Sequence, residues 1–179
     1  VIRCFAAIPL PEAVRLRLAA LAQMLPLPRR LPPESYHLTL AFLGEVPEPV
    51  AEAAHEAFEG IRAAPFALAL RGVGVFGGGK PRLVYAGCAP EPALDRLQAR
   101  VETAARRAGA QVEARRFVPH VTLTRLRPGE VEPARLEHAM LDLAGFATDT
   151  FPVDRFVLYR SHLGHGGAHY EELASYPLV

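Results

Sequence analysis

Apolar positions along this chain follow two rhythms, one of period two and one near 3.6, and the rhythms take turns from the start. Val1 to Ile8 predicts a strand. Pro11 to Leu25 predicts a helix, because Val14, Leu18, Leu21 and Leu25 fall on one face. After the proline-rich connection from Pro26 to Pro33, Tyr36 to Phe42 predicts a strand closed by Gly44. Pro49 to Ala63 predicts a second helix, with Val50, Ala54, Phe58 and Ile61 in register. Phe66, Leu68 and Leu70 alternate as a strand does, and Val73 and Val75 continue one residue out of phase, which predicts a bulge near Gly72.

The second half repeats the mixture. Gly77 to Pro81 predicts a loop and Leu83 to Cys88 a buried strand. Pro92 to Ala108 predicts a helix on Leu94, Leu97, Val101 and Ala105, stopped by Gly109. Gln111 to Phe117 and His120 to Arg125 predict strands around Pro119, and Pro133 to Leu143 a shorter helix. Phe151 to Ser161 and Ala168 to Leu178 predict a final strand pair joined through Gly164, Gly166 and Gly167. So many hairpin-like returns point to an α+β fold with antiparallel sheets and away from a Rossmann-type fold.

Composition narrows the function classes. A chain of 179 residues suits a single domain over 1–179, built as one body or as two similar lobes. No apolar run is long enough for a membrane span, and Val1 to Phe5 is too short for a signal peptide. Cys4 and Cys88 are the only cysteines, which excludes a disulfide framework and a zinc quartet and suits a reducing cytoplasm. A net charge of +1 excludes a general polyanion binder. Lys80 is the only lysine, the other basic residues being arginine. Arginine suits bidentate phosphate contacts, but genome base composition accounts for the bias as well.

One weak internal repeat changes the picture. His37-Leu38-Thr39-Leu40 recurs 83 residues later as His120-Val121-Thr122-Leu123, each copy in a predicted strand behind a proline-containing approach. In a strand, residues two apart share a face. Each copy therefore buries its two apolar residues and presents an imidazole and a hydroxyl. Two such copies facing one another suit phosphoryl transfer without a metal. One imidazole takes a proton from water, the other gives a proton to the departing sugar oxygen, and the hydroxyls donate to the non-bridging phosphate oxygens. A single His-x-Thr in a strand carries little information; two in matching contexts carry more.

The surroundings of both copies carry a family resemblance. Tyr36-His37-Leu38-Thr39-Leu40-Ala41-Phe42-Leu43-Gly44-Glu45-Val46 and Arg116-Phe117-Val118-Pro119-His120-Val121-Thr122-Leu123-Thr124-Arg125 match the two motifs of the two-histidine phosphoesterase superfamily. Within it the chain resembles the RNA 2′,3′-cyclic phosphodiesterases, long called 2′-5′ RNA ligases. Ile2 to Ile8 resembles that family's first strand, and Leu158 to Ser161 with Gly166 to Tyr170 its C-terminal hairpin. The resemblance implies a bilobal α+β fold, with two antiparallel-rich sheets flanking a central cleft, helices outside, and a pseudo-two-fold internal repeat. It implies opening of 2′,3′-cyclic phosphate RNA ends to 2′-phosphates without metal or cofactor, by a cytoplasmic monomer. Ligation of RNA halves, tRNA halves among them, is a side activity.

By the same resemblance His37 protonates the leaving 3′ oxygen and His120 activates water, an order that the sequence leaves open. Thr39, Thr122 and Arg125 hold the phosphate. Arg125 lies at an odd offset from His120, so it shares that residue's face only if the strand twists or bulges. Tyr36, Phe42 and Phe117 are candidates for stacking a base or lining the cleft, with core packing the default for Phe42 and Phe117. Ser35-Tyr36 departs from relatives that carry Asn before an apolar residue, which leaves base preference open.

Other signals are discounted. His165 and His169 have a zinc-like spacing but lack cysteine partners and a helical frame. His162 joins them in a polar hairpin tip, while His55 and His138 fall on predicted helices. Gly77-Gly78-Gly79-Lys80 lacks the P-loop's spacing. Arg29-Arg30 and Arg115-Arg116 read as solvated faces or as a positive cleft rim. Three alternatives stay open: a phosphodiesterase for small cyclic nucleotide or ADP-ribose phosphates, a non-catalytic RNA-end binder, and a physiological RNA ligase.

Overall fold

The computed structural model describes residues 1–179. In chain order the elements are β1 (Ile2–Pro9), α1 (Glu12–Gln23), a single 3-10 turn (Pro33–Ser35), β2 (His37–Val46), α2 (Glu48–Glu59), β3 (Phe66–Leu68), β4 (Leu70–Phe76), β5 (Leu83–Cys88), α3 (Pro92–Arg107), β6 (His120–Arg125), α4 (Pro133–Asp142), β7 (Phe151–Val153), β8 (Arg155–Gly164) and β9 (Gly167–Pro177). Every strand pairing is antiparallel, and the fold is α+β.

Local chemistry sets the helix ends. Proline stands at the first positions of α2, α3 and α4, where its missing N–H costs no hydrogen bond. Glu91 caps α3 by accepting from the Ala93 N–H. No helix is long and apolar enough to cross a membrane.

The strands form a four-stranded sheet, β2-β1-β8-β9, a three-stranded sheet, β4-β5-β6, and a two-stranded pair, β3-β7. The β3-β7 pair adds a third sheet to the two expected. The larger sheets share a plan, because β2-β1-β8 matches β6-β5-β4 strand for strand. Each half puts a helix between the central strand and the edge strand, α1 between β1 and β2, and α3 between β5 and β6. The edge strands β2 and β6 run next to each other where the halves meet. One apolar core runs through both halves, from Leu18 and Leu38 to Leu97, Val121 and Phe156.

The bulge predicted near Gly72 is present: the β4–β5 register shifts between Leu70 and Val73. Gly72 sits there at φ +79°, a region that side chains disfavour. Gln111 to Phe117 departs from expectation, since no strand forms there. Only the short β6 pairs with β5, and the preceding residues, without a ladder partner, run as a loop to His120.

Candidate active site

Sequence places the two motifs in strands; the register shows that the strands match in detail. In β2, Ala6 pairs with Ala41 and Ala7 with Thr39, so Leu40 is skipped. In β6, Val84 pairs with Thr124 and Tyr85 with Thr122, so Leu123 is skipped. Each motif thus ends in a bulge at its fourth residue. A bulge of one residue reverses the alternation beyond it. Leu40 and Ala41 are both buried and Phe42 returns to the histidine face; Leu123 and Thr124 are both buried and Arg125 returns to it. The odd offset of Arg125 from His120 is resolved in this way.

The histidines are held alike. His37 donates from Nδ1 to the Ser35 carbonyl at 2.8 Å, and His120 donates from Nδ1 to the Val118 carbonyl at 2.7 Å. A carbonyl only accepts, so Nδ1 carries the proton in both rings. In the neutral rings Nε2 is then a bare acceptor, free for proton transfer. Burial pushes His37 down to about 4, with further repulsion from His120 and from Arg125. His120 is lowered by burial and then by Arg125 and Arg115. These mutual effects put the two rings and the Arg125 guanidinium in one electrostatic neighbourhood, which Tyr170 also shares.

Aromatic rings wall each histidine. Phe5 lies 4.7 Å from the His37 ring, and Tyr170 meets it edge-on at 5.1 Å. Tyr159 stacks on Phe5 at 5.3 Å. On the other side Phe76 stands perpendicular to His120 at 5.0 Å, and Tyr85 stacks on Phe76 at 4.4 Å while reaching His120 at 5.4 Å. Tyr159 and Phe76 are counterparts: each is the third-strand neighbour of the central-strand residue opposite Phe42 or Arg125. Such walls exclude water and favour neutral imidazoles.

The candidate residues separate by position. His37 and Thr39 share one face of β2, and His120, Thr122 and Arg125 share the corresponding face of the adjoining strand β6. Phe42, for which core packing was the default, is instead 44% exposed on that face, with the Arg3 guanidinium 4.8 Å from its ring centre. Tyr36 is only 3% exposed and packs in the core, so its ring is closed to a base. Its hydroxyl is the one buried side-chain polar atom without a hydrogen-bond partner. Phe117 is half-buried against the core. Phe5, Phe76, Tyr85, Tyr159 and Tyr170 carry no signal of this placement in the sequence, because an aromatic residue in a strand looks the same whichever face it takes.

Of the basic pairs, Arg29 donates to the Arg125 carbonyl at 2.6 Å and pairs with Glu130. Arg30 donates to the Ala22 and Leu25 carbonyls, and Arg115 pairs with Glu113. His162 contacts Glu171 at 2.7 Å on the β8–β9 hairpin, beside His169. Hollows of about 300 Å³ between α1 and α4 and about 680 Å³ between α2 and α3 contain no motif residue.

Comparison with known proteins agrees in family and fold. Residues 10–165 match the family model described as the 2′-5′ RNA ligase superfamily. An RNA 2′,3′-cyclic phosphodiesterase of Geobacillus stearothermophilus is 38% identical over 149 residues; the match covers 82% of this chain but only 46% of that protein. One of Bacillus subtilis is 30% identical over 181 residues, covering 97% of this chain and 95% of the relative. The crystal structure of Escherichia coli LigT complexed with 3′-AMP superposes with a TM-score of 0.82 at 28% identity, over 99% of this chain and 98% of the other. A Thermus thermophilus protein superposes with a TM-score of 0.79 at 29% identity, over 99% of this chain and 98% of the other.

Proposed function

The chain belongs to the 2′-5′ RNA ligase superfamily, and we propose that it is an RNA 2′,3′-cyclic phosphodiesterase that opens cyclic phosphate ends to 2′-phosphates. The observation that carries this is the matched pair of imidazoles, each fixed through Nδ1 to the carbonyl two residues upstream, on adjoining strands.

Water attacks phosphorus in line with the P–O3′ bond, so the entering and leaving oxygens lie on opposite sides of the phosphate. His120 Nε2 accepts the water's proton as the new P–O bond forms. His37, protonated at Nε2, gives its proton to O3′ as the P–O3′ bond breaks. The product keeps the P–O2′ bond, and solvent exchange restores the two rings. Each acid–base partner contributes ~10²–10⁴-fold in rate. The Thr39 and Thr122 hydroxyls donate to the non-bridging oxygens, and the Arg125 charge balances the phosphate anion. Phe42 offers its exposed ring to the terminal base.

One chain supplies both histidines, so a single copy suffices for the chemistry, which supports a monomer acting on RNA ends such as those of tRNA halves. Where an RNA 5′-hydroxyl replaces water, the same site runs transfer instead of hydrolysis. In bulk water hydrolysis dominates.

The test is a short RNA ending in a 2′,3′-cyclic phosphate, incubated with the protein and a chelator beside His37→Ala and His120→Ala. Turnover to a 2′-phosphate that is lost in both variants is expected. A 3′-phosphate product reverses the leaving group. Absence of turnover in the wild-type protein refutes the proposal and moves attention to small cyclic phosphates or a binding role.

A further inference from the structure

The buried stripe of α3 holds Leu94, Leu97, Val101 and Ala105, and one polar residue, Gln98, 8% exposed. A buried amide costs free energy unless its hydrogen bonds are made, and an apolar residue would fill the stripe without that demand. Gln98 meets the demand at a particular place. Its Nε2 donates to the Leu40 carbonyl at 3.2 Å and to Glu102 Oε2 at 2.6 Å. Glu102 is fixed in turn by Arg106 at 2.6 Å.

Leu40 is one of two residues that the β1–β2 ladder skips, and it is the bulge within the first motif; the other, Leu43, lies beyond Phe42. That bulge sets which side chains of β2 share the histidine face: His37 and Thr39 before it, Phe42 after it. The amide comes from α3, the helix joining β5 to β6 in the other half. One hydrogen bond therefore ties the strand carrying one histidine to the half carrying the other. The second motif strand has its own cross-tie, since Arg29, from the connection between α1 and β2, donates to the Arg125 carbonyl.

We propose that Gln98 is a positioning residue for the phosphodiester reaction, holding the Leu40 bulge and thereby the placement of His37 and Thr39 relative to His120 and Thr122. The effect on turnover rests on the activity proposed above; the effect on His37 geometry does not. A displacement of about 1 Å at a catalytic group costs on the order of 100-fold when the reacting atoms must be aligned.

The test compares Gln98→Met, which keeps the length and removes the donor, with Gln98→Lys, whose ammonium can donate again to the Leu40 carbonyl and to Glu102. Both are assayed on the cyclic-phosphate RNA, and ring proton NMR follows His37 and His120 through a pH titration without substrate. Thermal unfolding confirms that the variants are folded at the assay temperature. For Gln98→Met we expect kcat to fall tenfold or more with KM within about threefold, and the His37 midpoint to rise toward the ordinary histidine value as water reaches the ring. Gln98→Lys should recover most of kcat and of the His37 midpoint. A folded Gln98→Met with unchanged His37 titration overturns the proposal even if the wild-type protein proves inactive on RNA. Loss of kcat that Gln98→Lys fails to restore overturns it too. An inactive wild type with a shifted His37 in Gln98→Met keeps the positioning role and rejects only the substrate.

Discussion

Phe42 and Arg125 occupy the same post in the two halves of the molecule, two residues past a skipped leucine and on the face of the two motif imidazoles. One half presents a ring there and the other a guanidinium. The near-symmetry of the histidine tethers is broken at this post, which gives the shared face an aromatic ring on one side and a positive charge on the other.

Phe42→Ala is expected to weaken RNA binding and leave the fold intact. An aromatic platform contributes ~1–3 kcal/mol per stacked base, so KM should rise by roughly tenfold or more with a smaller change in kcat. The ring is 44% exposed, so the melting temperature should shift little. Steady-state kinetics on a cyclic-phosphate oligonucleotide and on a base-free analogue checks this, because the analogue should not distinguish the variant from the wild type.

Arg125→Gln is expected to cost more at low salt than at high salt. Screening already weakens an exposed charge as ionic strength rises. The variant should show a lower kcat/KM and a shallower dependence of it on salt. A salt dependence equal to that of the wild type would remove Arg125 from phosphate recognition.

The pH profile should lie on the acid side in the free protein. The base must be neutral, above its pKa, and the acid must be protonated, below its pKa. Both histidines are depressed, His37 to about 4 by burial and His120 by burial and neighbouring arginines. The bell for kcat/KM, which reports the free protein, should therefore be centred below the ordinary histidine value of about 6.5. A bound phosphate anion favours the protonated rings, so the bell for kcat should sit higher. Identical profiles for the two parameters would contradict this.

The same depression predicts acid sensitivity of the fold. A histidine with a native pKa of about 4 and an unfolded value near 6.5 binds its proton more readily when unfolded. Its contribution is complete above about pH 6.5 and is lost as the pH falls toward 4. Between pH 7 and pH 4.5 the loss amounts to about 2 kcal/mol. His37→Gln lacks this titration, and urea unfolding at the two pH values should show a correspondingly smaller pH effect than in the wild type.

Gly74→Ala should disturb the His120 wall. The side-chain carbon would fall on the Tyr85 ring, which lies across Gly74 and stacks on Phe76 beside His120. Overpacking of this kind costs ~1–3 kcal/mol. A lower melting temperature together with a lower kcat is expected. A variant that loses stability alone would show that the wall does not set the His120 ring.

The sequence by itself determined the helices, nearly all the strands and the two motif cores, because each depends on local periodicity. The alternation of Leu38 and Leu40 with His37 and Thr39 needs no knowledge of the rest of the chain. Gln111 to Phe117 misled for the same reason: it has strand-like composition but no neighbour to pair with, and strand pairing is a tertiary event. Only the tertiary structure decided what lies beyond the motifs. Whether Phe42 and Arg125 face core or cleft depends on bulges at Leu40 and Leu123, and a bulge exists only relative to the partner strands β1 and β5. The inward burial of Tyr36, the rings around each histidine and the reach of Gln98 to Leu40 also join residues far apart in sequence, through packing that no local pattern encodes.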